Sequence, residues 1–294
     1  MAIKFYTKEL AAMLPSIYEA KSSYLEAFGG DLQVLQGAEA QADFLNLKIS
    51  DTDVVIQEYK TGANVGFGTG TGSSNRFGPR NEVKSVDLQV KFDTPLAIHD
   101  GIDNYTVNDI PEDVVAERLA LHAVAWAEHT DAVLAKELSD KASEAIEAEL
   151  TEADVVEAFN MVRKNFVNAK VSKGINWLAY VSSDVYNLLV DSELAKTVKG
   201  STVNMDEGEV YKFKGFILRE QADELFVGEE NAYFTVANVG QAGVGIPLSR
   251  TMDSEDFGGV VVQGAGKLGK YVPEKNKKAI VKAVFAEVAE VQAG

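Results

Sequence analysis

The sequence predicts an α+β fold, and three observations favour that class. A long helical pattern begins near residue 111, several shorter stretches read as strands, and the strands and helices do not alternate strictly along the chain. Strict alternation would indicate a doubly wound parallel sheet. We therefore expect helices that pack against strand groups formed from distant parts of the chain.

Composition limits the possible functions. With 46% hydrophobic and 25% charged residues over 294 positions, the chain has the make-up of a soluble globular protein. It contains no cysteine, which excludes disulfides, thiolate metal sites and a thiol nucleophile. No apolar run approaches the roughly 18 residues of a membrane span. The charged N-terminus argues against a signal peptide, and we expect no membrane partner.

The formal net charge is −17. Proteins that grip nucleic acid do so largely with lysine and arginine, which replace the counterions on the phosphates. A main surface that binds DNA tightly is therefore not expected, although the charge is compatible with enclosing DNA without gripping it.

The first elements are an arm and a pair of strands. Residues 1–42 mix short helical stretches with Pro15 and Gly29-Gly30, and we interpret them as an arm. Residues 44–58 and 83–92 carry the apolar patterns of two strands.

A glycine-rich connection joins these two strands. Residues 60–82 hold six glycines, and a structureless connection of this length in a compact domain is usually functional or disordered. The segment presents cations and aromatic rings in an acidic chain: Phe67, Arg76, Phe77 and Arg80. One interpretation is a mobile surface loop, and the other is a segment that becomes ordered against another subunit.

The longest element is a helix predicted over residues 111–150. Asp109 and Glu112 have the spacing of a capping box, and Pro111 stands in the first turn, where no hydrogen bond is lost. Apolar residues recur with the helical period as far as Leu150, which corresponds to a length of about 55–60 Å.

A second group of elements follows from Thr151, which is predicted to cap a helix ending near residue 169. The expected elements after it are a strand at 175–181, a helix capped by Ser182 or Ser183 and ending near 200, and strands at 210–219, 232–239, 258–263, 269–272 and 279–285.

The stretch from Gly264 to Lys270 matches two nucleotide-binding patterns, GxGxxG and GxxxxGK. A phosphate loop must lead into a helix, but Pro273 disfavours a helix at that point. We expect instead a turn between two strands, with Lys267 and Lys270 on an exposed tip. Since no catalytic constellation or metal cluster is apparent, the chain is not expected to be an enzyme or to need a cofactor.

The order of these elements resembles the major capsid (head) proteins of tailed bacteriophages, particularly those of Gram-positive hosts. The resemblance covers nearly the whole chain. It includes the two strands around GANVGFGTGTGSSNRFGPR, the stretch FDTPLAIHDGIDNYTVNDIPEDVVAERLALHAVAWAEHTDAVLAKEL and the α+β region that follows.

The resemblance implies a capsid fold with five parts. They are an N-terminal arm (1–42), an extended β-ribbon or E-loop with its flanking strands (43–98), a P-domain with a long spine helix (99–150), an A-domain (151–250) and returning P-domain strands (251–294). It also implies hexamers and pentamers that close an icosahedral shell around double-stranded DNA. The implied interface residues are Phe67, Arg76, Phe77, Arg80, Lys267 and Lys270.

The resemblance further implies partners and a location. The partners are other copies of the chain, scaffolding and portal proteins, and packaged DNA bound without sequence specificity. We expect a separate scaffolding protein, because the sequence has little room for a scaffolding segment before the arm. The location is the virion, with host cytoplasm during assembly. The alternatives are an encapsulin-like nanocompartment and, more remotely, a nucleotide-binding enzyme that uses residues 264–270.

Overall fold

The structure is a computed structural model that describes residues 23–30, 32–35, 43–50, 52, 54–62, 65, 75–106, 111–191, 202–204 and 209–287. Its α-helices are α1 (Pro111–Lys141), α2 (Glu152–Asn168) and α3 (Ser183–Asp191). Its strands are β1 (Gln33–Leu35), β2 (Asp43–Ile49), β3 (Val86–Lys91), β4 (Leu96–Asp103), β5 (Glu144–Glu149), β6 (Trp177–Ser182), β7 (Thr202–Asn204), β8 (Glu209–Phe213), β9 (Phe216–Gln221), β10 (Ala232–Val236), β11 (Gln241–Asp253), β12 (Gly259–Tyr271) and β13 (Val281–Ala286).

The described residues fall into two compact units. The smaller unit, Asp43–Lys91, contains the antiparallel pair of β2 and β3, and we call it the ribbon unit. The larger unit, which we call the main unit, contains a seven-stranded sheet, a four-stranded sheet and the three α-helices.

The seven-stranded sheet has the order β5-β13-β10-β6-β9-β8-β7 and mixes parallel with antiparallel pairs. Helix α2 packs on one face, where Phe159 and Phe166 contact the rings of Phe216 and Phe234 at centroid distances of 4.8 to 5.8 Å. These four side chains are fully buried. The aromatic cluster therefore forms the centre of this layer.

The opposite face of the same sheet carries tyrosines. Tyr180 and Tyr233 lie opposite each other on β6 and β10, and both pack against Tyr24 in a short 3-10 helix, Tyr24–Phe28. Asp131 of α1 accepts hydrogen bonds from the backbone N–H groups of Ser23 and Tyr24 at 3.0 to 3.1 Å. The chain just after residue 22 is thereby fixed to α1.

The four-stranded sheet has the order β1-β11-β12-β4, and α1 contacts its strands β12 and β4. The same helix contacts β13 of the seven-stranded sheet, so it connects both sheets. Residues 96–98, expected to flank the ribbon, belong to β4 and pair with β12.

Helix α1 is shorter than the sequence indicates. It ends at Lys141 after 31 residues, which is about 46 Å, so the prediction of a helix to Leu150 is wrong. The residues beyond it form β5, which pairs in parallel with β13, and Ser143 donates its backbone N–H to the carbonyl of Ile280. The hydrogen bonds to β13 override the helical period of these residues. The local pattern could not reveal this pairing, because the partner strand lies more than 130 residues away in sequence. The capping box at Asp109 lies outside the described residues.

Other elements follow the predictions more closely. Thr151 caps α2 by accepting the backbone N–H of Asp154 at 3.2 Å, and Ser182 accepts that of Val185 at 3.5 Å at the start of α3. The single strand expected at 210–219 is instead the hairpin of β8 and β9. Its turn residues, Lys214 and Gly215, have φ values of 49° and 99°, which fit the tight turns that join antiparallel strands.

Candidate subunit interface

The ribbon unit leaves much of its apolar surface uncovered. The side chains of Val54, Ile56 and Phe77 are 95%, 97% and 76% exposed. Residues 54–58 were expected to continue the first strand, but β2 ends at Ile49. Residues 54–60 and 76–80 then run side by side and are joined by few hydrogen bonds. Lys60 N–H donates to the Arg76 carbonyl at 3.0 Å, and Gln57 Nε2 donates to the Pro79 carbonyl at 3.0 Å.

The predicted interface residues of the ribbon have different surroundings. Arg76 Nη1 donates to the Lys60 carbonyl at 3.1 Å, and its guanidinium carbon lies 5.9 Å from the centroid of the Tyr59 ring. Phe77 contacts the same ring edge to face at 5.1 Å. Arg80 is exposed. Phe67 lies outside the described residues.

Sequence reasoning missed the two most exposed of the large apolar residues described in the ribbon unit. Val54 and Ile56 were assigned to a strand, because a β-branched run normally indicates one. Their position next to the glycine-rich segment is the signal that would have identified them. That segment contains no apolar run with which they could pair as a strand.

Lys267 and Lys270 do not lie on an exposed tip, so that prediction is wrong. Both are partly buried residues of β12. The ammonium nitrogen of Lys267 lies 4.5 Å above the Phe92 ring, and that of Lys270 forms an ion pair with Asp93 at 2.5 Å. Both lysines therefore have partners within their own subunit. Their role in an interface between subunits stays a prediction.

Residues 264–270 do not form a turn. They lie within β12, a continuous strand of 13 residues that pairs with β11 on one side and with β4 up to Gly266 on the other. Their backbone groups therefore form hydrogen bonds within the sheet. The element after β12 is a short 3-10 helix, Glu274–Ala279. A phosphate loop needs free N–H groups at the start of a helix, which this geometry does not provide.

Gly264 faces the helix α1. A Cβ atom there would lie 3.4 Å from Trp126 Nε1 and 3.7 Å from His122 Nδ1, which belong to α1. His122 is 5% exposed, and its Nε2 lies 2.9 Å from an Asp100 carboxylate oxygen. These distances are ordinary van der Waals contacts, so α1 packs on the four-stranded sheet at Gly264 without requiring a glycine there.

A polar network resembles a serine–lysine pair. Ser139 Oγ lies 3.2 Å from Lys282 Nζ, and both contact Glu230, which also accepts from the Tyr233 hydroxyl at 2.6 Å. The Lys282 ammonium forms an ion pair with Glu230 at 2.6 Å. We interpret the network as a connection of α1 to β10 and β13.

Burial changes the acidity of the tyrosine cluster. It raises the pKa of Tyr24, Tyr180 and Tyr233 well above the ordinary value, and the hydrogen bond to Glu230 raises that of Tyr233 further.

Among the described residues no group of three or more His, Asp and Glu side chains is placed to hold a metal ion. No helix in the same residues is long and apolar enough to cross a membrane.

The arrangement defines a class of fold: two sheets joined by one long helix, with a separate ribbon that carries uncovered apolar side chains. The sequence matches no protein-family model and no curated protein. Solved structures, however, share the fold over almost the whole chain.

Three of these structures illustrate the match. The capsid of the cyanophage P-SCSP1u has a TM-score of 0.64 at 11% identity, with 91% of this chain and 89% of that chain covered. The mature capsid of bacteriophage PhiM1 has a TM-score of 0.63 at 13% identity, with coverages of 90% and 87%. A virus-like particle from Pyrococcus furiosus has a TM-score of 0.52 at 14% identity, with coverages of 95% and 99%.

The chain therefore has the α+β fold of tailed-bacteriophage major capsid proteins. The resemblance drawn from the sequence is confirmed at the level of the fold.

Proposed function

We propose that this chain is a structural major capsid protein that assembles into hexamers and pentamers of an icosahedral phage head around double-stranded DNA. The observation that carries the proposal is the capsid fold, shared with phage capsids over about nine-tenths of the chain. An enzymatic role has no such support.

The ribbon unit supports assembly. Soluble monomers rarely expose clustered large apolar side chains, and such clusters usually mark interaction surfaces. Val54, Ile56, Tyr59 and Phe77 are exposed large apolar side chains of the ribbon unit, and the rings of Tyr59 and Phe77 are in contact. We propose that a neighbouring subunit covers them, that Phe67 and Phe77 meet apolar partners there, and that Arg76 and Arg80 meet acidic ones. Lys267 and Lys270 remain candidates for a second contact.

The net charge of −17 fits the enclosure of DNA. A wall of like charge does not hold a packed genome tightly, which suits a container that later releases its contents. The proposal includes a scaffolding protein and a portal as assembly partners. It places the protein in the virion, and in the host cytoplasm during assembly.

Electron microscopy of the purified chain tests the proposal. Wild-type protein should form closed shells, whereas deletion of residues 62–78 should abolish shells and leave the circular dichroism spectrum of the main unit unchanged. The Phe77→Ala variant should lower shell yield, and the matched Phe77→Tyr variant, which keeps the ring, should not. Normal shells from the deletion variant would contradict the role of the ribbon.

A nanocompartment is the second candidate, favoured by the match to the virus-like particle from Pyrococcus furiosus. Phage heads and nanocompartments differ in their contents. Shells purified from the native source and treated with nuclease should retain protected double-stranded DNA if they are phage heads. A stoichiometric cargo protein without DNA would establish the nanocompartment instead.

The nucleotide-binding alternative has no geometric support, because residues 264–270 form a paired strand. Titration calorimetry with ATP and with NAD should give no binding heat.

A further inference from the structure

Charge is segregated along the chain around α2. Residues 142–162 contain six acidic residues and no lysine or arginine, whereas residues 163–183 contain four cations and no acidic residue. The acidic residues are Glu144, Glu147, Glu149, Glu152, Asp154 and Glu157, and the cations are Arg163, Lys164, Lys170 and Lys173. The helix dipole accounts for the acids in the first turn of α2, whose last turn carries no cation. It does not account for glutamates on β5, which is a separate element.

Two further cations, Lys212 and Lys214, lie at the same end of the seven-stranded sheet as the loop before β6, Lys212 on the face away from α2. Strands β6 and β9 are parallel, with Trp177 beside Phe216, so the loop before β6 and the turn before β9 lie at one end of the sheet. Arg163 Nη1 donates to the Lys214 carbonyl at 2.6 Å, which joins α2 to that turn. We call this group the basic corner; it consists of Arg163, Lys164, Lys170, Lys173, Lys212 and Lys214.

The basic corner is not neutralised within the described part of the chain. Five of its side chains are exposed, Lys214 is partly buried against the Phe213 ring, and none of the six forms an ion pair with a described residue. A surface of like charges is unfavourable unless something compensates it. In a chain of net charge −17, such a patch is a feature that its own fold does not explain.

The opposite charge lies on the edge of the same sheet. Strand β5 is the outermost strand, and glutamates occupy exposed positions on it, Glu147 and Glu149 on one face and Glu144 on the other. We define the acidic edge as the exposed residues Glu144, Glu147, Glu149 and Glu152. Among the described residues none of them forms an ion pair, and Glu144 accepts one hydrogen bond, from Asn165 Nδ2 at 2.5 Å.

The two surfaces lie on opposite flanks of α2 and cannot meet within one subunit. Asn165 reaches β5 on one flank, and Arg163, two positions earlier, reaches the β8–β9 turn on the other. Positions two apart on a helix are separated by about 200°. Five strand spacings separate β5 from β8, which is roughly 24 Å.

We propose that the basic corner of one copy docks on the acidic edge of the next copy within a ring of subunits. The inference rests on the proposed shell function and identifies one contact between subunits that would form the shell. Complementary patches on different flanks of one domain give a head-to-tail contact, which repeats from copy to copy and forms a ring when the rotation between copies closes. Charge complementarity favours a second copy over DNA, since the chain itself supplies the matching acidic surface and is net negative.

Charge reversal tests the contact. The Lys173→Glu/Lys212→Glu variant should lower shell yield by about ten-fold or more, because like charges then face each other across the contact. The Glu147→Lys/Glu149→Lys variant should lower it similarly. The Lys173→Arg/Lys212→Arg variant, which keeps the charge, is the matched control and should assemble like wild type. All four positions are exposed, so circular dichroism should show folded subunits in each case.

Combining the changes gives the decisive result. The quadruple variant, which combines Lys173→Glu/Lys212→Glu with Glu147→Lys/Glu149→Lys, exchanges the charges of the basic corner and the acidic edge. It should recover shell yield to within about two-fold of wild type. A mixture of the two double variants should also associate in light scattering, because each supplies the surface that the other lacks. Folded double variants that assemble like wild type would overturn the inference, as would a folded quadruple variant that does not recover.

DNA binding is the competing outcome. Anisotropy of a labelled 30-bp duplex would reveal it: loss of binding in Lys173→Glu/Lys212→Glu with normal shell yield would assign the basic corner to DNA and overturn the inference. Shells from wild type and from both double variants would contradict this inference and leave the proposed function intact. A wild-type chain that stays monomeric would contradict both.

Discussion

The seven-stranded sheet and the ribbon unit hold similar residues in opposite surroundings. Both are strand-rich and carry aromatic and β-branched side chains. In the sheet, Phe159 and Phe234 are fully buried, whereas in the ribbon Val54 and Ile56 are almost fully exposed. The difference teaches that apolar composition alone does not say whether a segment stabilises its own subunit or an association with another.

Coverage explains this difference. Helix α2 covers one face of the sheet, and α1 with the 3-10 helix at Tyr24 covers the other, so its side chains lose contact with water on both sides. A two-stranded ribbon has no such layers within its own unit. Two strands alone are only marginally stable in water, so we expect the ribbon to need contacts outside its own unit.

The largest expected effect concerns the centre of the sheet. Phe159 contacts the rings of Phe213, Phe216 and Phe234 at 4.8 to 5.8 Å. The Phe159→Ala variant should lower the free energy of unfolding of the main unit by about 3–5 kcal/mol, through lost burial and the cavity left behind. Urea denaturation followed by fluorescence measures the change. A loss below about 1 kcal/mol would show that this cluster is not the stabilising centre.

A smaller, pH-dependent effect concerns the tyrosine face. Since burial raises the pKa of Tyr24 in the folded state, the unfolded chain ionises first, near the ordinary value of 10.0. The contribution of Tyr24 is fully present below pH 10 and decreases above it by about 1.4 kcal/mol per pH unit. The Tyr24→Phe variant should therefore match wild type at pH 8 and lose less stability between pH 10 and 11.

Urea denaturation at pH 8, 10 and 11 measures this difference. The Tyr24 hydroxyl has no hydrogen-bond partner among the described residues, so its removal should change stability little at pH 8. Tyr105→Phe is the control, because Tyr105 is 90% exposed and should not alter the alkaline loss. Equal alkaline loss in Tyr24→Phe and wild type would contradict the prediction.

The smallest effect on stability is expected in the ribbon. The Val54→Ser/Ile56→Ser variant should change the free energy of unfolding of the main unit by less than about 0.5 kcal/mol, because both side chains are already exposed. The yield of shells should nevertheless fall, since the apolar surface available to a neighbour is reduced. The Val54→Ala/Ile56→Val variant, which stays apolar, should assemble better. Full assembly of the serine variant would remove Val54 and Ile56 from the interface.

Local signals in the sequence were sufficient for several elements. The cap at Thr151 and the period through Phe159 and Phe166 identified α2, because a capping hydrogen bond and one buried face involve neighbouring residues. The alternation around Leu45 and Leu88 similarly identified the strands of the ribbon.

Elements that depend on distant partners were predicted less well. Residues 144–149 have a helical composition but form a strand, because β13 supplies a ladder of hydrogen bonds. The glycines at 264–269 indicated a turn, but two neighbouring strands hold them extended and α1 packs closely on Gly264. Neither partner is visible in the local sequence.

The sequence by itself determined the class of fold, the acidic character and the separation of charge along α2, because these follow from composition and from residues close together in the chain. Only the tertiary structure decided where α1 ends, that Lys270 pairs with Asp93, and that the Lys214 carbonyl accepts a hydrogen bond from Arg163. The reason is that strand pairing and side-chain contacts bring together residues separated by tens to hundreds of positions, and local preferences do not encode these partners.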